Sequence, residues 1–118
     1  MAEDNERLAA MIATELAGAG YDVVIAYDGY SALALAVEQR FDALLTDLLM
    51  PGLTGDAVAE RARRVHPELP VLLMTAFHGA DVLDLPWAAV IRKPFNLAAL
   101  VAALVAALVA ALDSATLA

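Results

Sequence analysis

The feature that most constrains this chain is a set of short, nearly unbroken apolar runs, each closed by a polar residue. Residues 41–46 lead into Asp47, 71–74 into Thr75, and 88–91 into Arg92-Lys93. Half-exposed strands alternate polar with apolar, whereas continuous runs like these suit strands of a parallel sheet covered on both faces. A further β-branched run at 23–26 is predicted as another strand. Helical periodicity fills the gaps. Leu8, Met11, Ile12 and Leu16 recur at helical spacing, with Asn5 placed to cap and Gly18 and Gly20 to stop. Asp28-Gly29 turns into a helix over 32–37 with Leu33 and Val37 inward. A third helix spans about 56–65, with Val58, Ala62 and Val65 on one face and Arg63 largely outside. A short helical or irregular stretch is expected at 80–85, and Asn96 caps a last helix. Strands alternating with helices predict one α/β domain over residues 1–118, a doubly wound parallel sheet.

Composition narrows the function. Fifteen acidic residues against 7 Lys+Arg leave a net charge of −8, which speaks against nucleic acid and anionic membrane as partners. At 62% hydrophobic residues the chain is too apolar for disorder. Without cysteine, disulfides, thiolate metal sites and Cys nucleophiles are excluded. The acidic, polar start is unlike a secretory signal, so a cytoplasmic protein is expected. Residues 97–112 are all Leu, Val or Ala, but a spanning helix needs about 20 strongly apolar residues, and half of this run is alanine. A helix packed on protein is predicted instead. Its charge-free remainder is a surface for contacts, including a homodimer through this C-terminal helix.

Ligands of open parallel sheets bind beyond the carboxyl ends of the strands. There the sequence places Asp47, Thr75 and Lys93, together with Glu3-Asp4 just before the first helix. Carboxylates gathered at one edge, with no His or Cys among them, suit Mg²⁺, a hard cation that works beside phosphate. A Lys and a Thr hydroxyl opposite them can hold phosphoryl oxygens. An ionised Asp at the centre can be the nucleophile that becomes an aspartyl phosphate. Taken singly, each residue reads more plainly as a cap, a turn or a surface charge. Their joint placement points to phosphoryl chemistry.

The segments Ala2-Glu3-Asp4-Asn5, Leu44-Leu45-Thr46-Asp47-Leu48-Leu49-Met50-Pro51-Gly52, Val71-Leu72-Leu73-Met74-Thr75-Ala76 and Ile91-Arg92-Lys93-Pro94-Phe95 resemble a response-regulator receiver domain (CheY-like) of bacterial two-component signalling. The resemblance covers nearly the whole chain. It implies a flavodoxin-like five-stranded sheet of order 2-1-3-4-5, with Asp47 as phospho-acceptor and Asp4 as direct Mg²⁺ ligand. Glu3 would act on the metal through water, and the Leu49 carbonyl would complete the site. Thr75 and Lys93 would hold the phosphoryl group, and Lys93-Pro94 would be cis. The implied donor is a sensor histidine kinase or histidine phosphotransfer protein, and the implied output is contact with a downstream protein target.

Three departures from the family stand out. Only Met1 and Ala2 precede the acidic pair, so the first strand is cut short and a gap at the centre of the sheet is expected. Val90 stands three residues before Lys93, where the family often has an aromatic ring, which puts the usual output coupling in question. The stretch from Thr75 to Lys93 is short, clipping the fourth helix, and Trp87 there reads as core filling or a partner anchor. His66 and His78 read as solvated loop residues. Two alternatives follow: a receiver-like scaffold with weak phosphate response, or an aspartyl-phosphate phosphatase. The latter usually has a second Asp two residues after its nucleophile, where this chain has Leu49.

Overall fold

The computed structural model describes residues 1–76, 85 and 87–117, the last seven by their backbone alone. In chain order the elements are α1 (Glu6–Gly18), α2 (Gly29–Glu38), β1 (Leu44–Asp47), α3 (Gly55–Val65), β2 (Val71–Thr75), β3 (Ala88–Arg92) and α4 (Leu97–Leu117). The three strands pair in parallel in the order β1-β2-β3, with Leu44 opposite Val71 and Val71 opposite Ala88. Most of the expected 80–85 stretch and the clipped fourth helix fall outside the described residues, as do His78 and Pro86.

Alternation along the strands feeds two cores, since successive side chains point to opposite faces. Leu44, Val71 and Leu73 meet Ala32 and Ala36 of α2 and Val58, Ala59 and Ala62 of α3. On the other face Leu45, Leu72 and Met74 meet Ile12 and Leu16 of α1 and Leu100 and Leu104 of α4. The sheet is therefore covered on both sides, as the continuous apolar runs predict.

The first strand is cut short, as expected, but the residues at the centre of the sheet leave no gap. Ala2 bridges in parallel to both Ala26 and Thr46. Its N–H donates to the Leu45 carbonyl at 2.8 Å, and its own carbonyl accepts from Asp47 N–H at 2.8 Å. On the other side Ala26 N–H donates to Met1 and Glu3 N–H donates to Ala26, at 2.8 and 3.0 Å. Three residues thus do the pairing of a strand, because each alternate backbone group meets a partner on one side or the other. Counting these two bridged segments, the order across the sheet is 2-1-3-4-5. The strand expected at 23–26 is a bridge at Ala26, paired with Ala2, and the Met1 amino group donates to the Val24 carbonyl at 2.7 Å. Likewise β1 starts at Leu44, not at 41. Its partner β2 begins at Val71, and Leu44 N–H donates to the Pro70 carbonyl at 2.9 Å.

Helix ends follow the sequence signals. Asn5 Oδ1 accepts from Leu8 N–H and Asn96 Oδ1 from Ala99 N–H, at 3.1 and 2.6 Å. Gly20, with φ of +99°, supplies the left-handed turn that ends α1. Helix faces are less well foreseen. Met11, Val37 and Val65 are exposed, while alanines of α2 and α3 take the inner positions where the two helices close on each other and on the sheet. Arg63 is not outside: its guanidinium lies 4.7 Å from the Trp87 ring centroid and donates to the Leu69 carbonyl at 2.5 Å. Trp87 packs against the α2–α3 core, in keeping with core filling. His66 caps α3 and is half-buried, with Nε2 enclosed and without a hydrogen-bond partner among the described residues. Among the described residues, no helix is long and apolar enough to cross a membrane.

Burial separates two positions on the apolar α4 helix. Leu100 is fully buried against α1 and the sheet, whereas Val109 is half exposed. Leu100→Ala should cost about 2–5 kcal/mol in urea unfolding, and Val109→Ala less than about 0.5 kcal/mol. Equal losses would show that this helix does not pack as described.

Candidate phosphoryl-acceptor site

The site is assembled where three chain segments end. The bridge at Ala2 delivers Glu3 and Asp4 to the rim beside the end of β1, where Asp47 emerges. Leu48 N–H donates to Met74 O at 2.9 Å and Lys93 N–H to Thr75 O at 2.7 Å, so the ends of β1, β2 and β3 are laced together. Lys93 then follows β3 directly, and the Lys93-Pro94 bond is cis, as expected.

Lys93 Nζ stands 2.9 Å from Glu3 Oε1 and 3.2 Å from Asp47 Oδ2. Glu3 is fully buried, and its second oxygen accepts from Asn5 N–H at 3.3 Å. A buried carboxylate needs a charge partner and further donors, and Glu3 has both. Burial alone would lower the Lys93 pKa. The hydrogen bond it donates to Glu3, then the charge of Asp47 and the hydrogen bond to it, outweigh this and hold the ammonium above its usual 10.5.

Glu3, Asp4 and Asp47 bring one carboxylate oxygen each within 4.8 Å of one another. Asp4 is exposed and Asp47 nearly buried. The donor set is three hard oxygens with no nitrogen or sulfur, which fits a small divalent cation such as Mg²⁺. Thr75 is buried at the end of β2, one residue past the Asp47–Met74 pair. Leu49 lies exposed in the loop that follows Asp47, and Val90 is exposed on β3. The structure thus brings Glu3, Asp4, Asp47 and Lys93 into one cluster, with Thr75 on the adjoining strand end.

Two residues beside the site escaped the sequence reading. Thr46 Oγ1 donates to the carbonyl of Asp47 at 2.9 Å, and Gly55, opening α3, donates its N–H to Leu48 O at 2.7 Å. A hydroxyl within an apolar strand is the only signal that Thr46 carried, and Gly55 lies one residue before the start at about 56 expected for the third helix.

The family model of the response regulator receiver domain matches residues 1–105. A response regulator receiver protein of Anaeromyxobacter sp. is 38% identical over 96 residues, covering 78% of this chain and 40% of that protein. The response regulator receiver protein CpdR of Brucella abortus is 35% identical over 105 residues, 86% of this chain and 88% of CpdR. The chain spans less than half the length of the Anaeromyxobacter protein and of a matching Bacillus subtilis transcriptional regulatory protein. In three dimensions it is similar to the receiver domain of a Pseudomonas aeruginosa sensor histidine kinase, at 29% identity and a TM-score of 0.80, over 91% of this chain and 93% of the other. That structure has a magnesium ion coordinated in its active-site cleft. An acidic rim on a doubly wound sheet and a family match over most of the sequence lead to one conclusion: the chain belongs to the response regulator receiver domains of two-component signalling.

Proposed function

We propose that residues 1–118 form one receiver domain that takes a phosphoryl group onto Asp47 from a phosphohistidine of a sensor histidine kinase or histidine phosphotransfer protein. The observation that carries this reading is the Lys93 ammonium held between Glu3 and Asp47, with Asp4 alongside. An Asp47 carboxylate oxygen attacks phosphorus, the P–N bond to the donor imidazole breaks, and its electron pair returns to the ring nitrogen. Lys93 holds a phosphoryl oxygen as negative charge moves to Asp47, and the Thr75 hydroxyl binds another. Asp4 and Asp47, with Glu3 through water and the Leu49 carbonyl, would hold Mg²⁺. When bound, that ion supplies neutralising charge for the phosphoryl oxygens.

The chain then catalyses only its own phosphorylation and dephosphorylation, in the cytoplasm, and signals by contact with a downstream protein target. Exposed Val105 and Val109 on α4 support a homodimer through that helix. Val90 supplies no ring on β3 to report the phosphorylated state, so output through α4 is the simpler route.

Asp47→Ala should abolish Mg²⁺-dependent labelling by acetyl phosphate, and a chelator should abolish it in the native chain. Intact-mass spectrometry showing full labelling in either case would refute the assignment. Because the folded pKa of Lys93 is raised, its contribution to stability is complete below about pH 10.5 and is lost as pH rises through the folded value. Denaturant midpoints at about pH 8 and about pH 11.5 should therefore fall further for the native chain than for Lys93→Met. An equal fall would mean that the ammonium is not held by its two carboxylates.

A further inference from the structure

We propose that Thr46 and Gly55 are positioning residues for Asp47, fixing through its main chain where its carboxylate stands. The inference rests on Asp47 as the phosphoryl acceptor. Thr46 is fully buried, and strand alternation places its side chain on the α2–α3 face with Leu44 and not on the rim. Its hydroxyl donates to the Asp47 carbonyl at 2.9 Å and lies 4.0 Å from Met50 Sδ. The carbonyl is closed in from the other direction by the first residue of α3. A Cβ on Gly55 would overlap the Asp47 carbonyl oxygen and stand 2.9 Å from its carbon and 3.0 Å from Thr46 Oγ1. Gly55 N–H is meanwhile tied to the next carbonyl, that of Leu48.

The peptide plane that leaves Asp47 is therefore gripped between a donor and a helix start. With Asp47 N–H fixed on Ala2 O, the backbone is held on both sides of its Cα. The direction of the side chain follows from that. A valine at 46 keeps the shape and removes the donor, and a buried carbonyl without one turns toward another. A side chain at 55 pushes the same plane directly. Either change moves the carboxylate away from its 3.2 Å contact with Lys93, and in-line transfer is sensitive to such displacement.

The test compares the native chain with Thr46→Val, Thr46→Ser and Gly55→Ala. It follows initial rates of labelling by acetyl phosphate over a Mg²⁺ series, and the Asp47 and Leu48 amide resonances of the unphosphorylated proteins. Thr46→Val is expected to label about tenfold more slowly at saturating Mg²⁺ with both resonances shifted. Thr46→Ser should restore rate and shifts, and Gly55→Ala should lose at least as much as Thr46→Val. If Gly55→Ala does not fold, the Thr46 pair decides. Thr46→Val at the native rate, or Thr46→Ser as slow as Thr46→Val, overturns the inference and leaves the acceptor assignment standing. A native chain that takes no label overturns both.

Discussion

One ammonium group organises the end of the sheet. Lys93 lies between a carboxylate from the start of the chain and one from its middle, and it makes their closeness tolerable. Without it, fully buried Glu3 would be an uncompensated charge, a state that costs several kcal/mol. The backbone supports the same geometry. Ala2 is bonded to the segments on both sides, and Lys93 N–H is bonded to the end of β2. The arrangement keeps a cluster of negative charge intact.

Much of this was legible in the residues themselves. Apolar runs that stop at Asp47, Thr75 and near Lys93 betray buried parallel strands, and the topology of such sheets then brings their polar ends to one rim. Asn5, Gly20 and Asn96 declared helix boundaries because capping is a local matter. What stayed hidden was non-local. No pattern says that Met1, Ala2 and Glu3 alone can bridge two neighbours, since that depends on where Ala26 and Leu45 lie in space. Val37 and Val65 look like core residues by periodicity, yet close approach of α2 and α3 selects alanine for the inner face, and in α1 the inner face goes to Ala9, Ile12 and Leu16, leaving Met11 outside. Arg63 looked like solvent-facing charge until Trp87 was found beneath it.

Thr46 and Gly55 illustrate a different blind spot. Their chemistry is directed at main-chain atoms, and main-chain atoms carry no signature in a sequence. The sheet supplies a fixed frame, the start of α3 is driven hard against it, and the smallest residue marks the point of contact. Tight packing of this kind transmits displacement. Movement of Asp47 is thus mechanically tied to α3 as well as to the rim.

The bridge at Ala2 has a consequence for the order of events in the cell. Glu3 and Lys93 are separated by ninety positions, and contacts so distant in sequence form only after the intervening chain is in place. A nascent or C-terminally shortened polypeptide that stops before Lys93 carries Glu3, Asp4 and Asp47 without the ammonium that offsets their charge. The balanced charge cluster is thereby reserved for molecules in which positions 3 and 93 have met, a form of quality control written into connectivity.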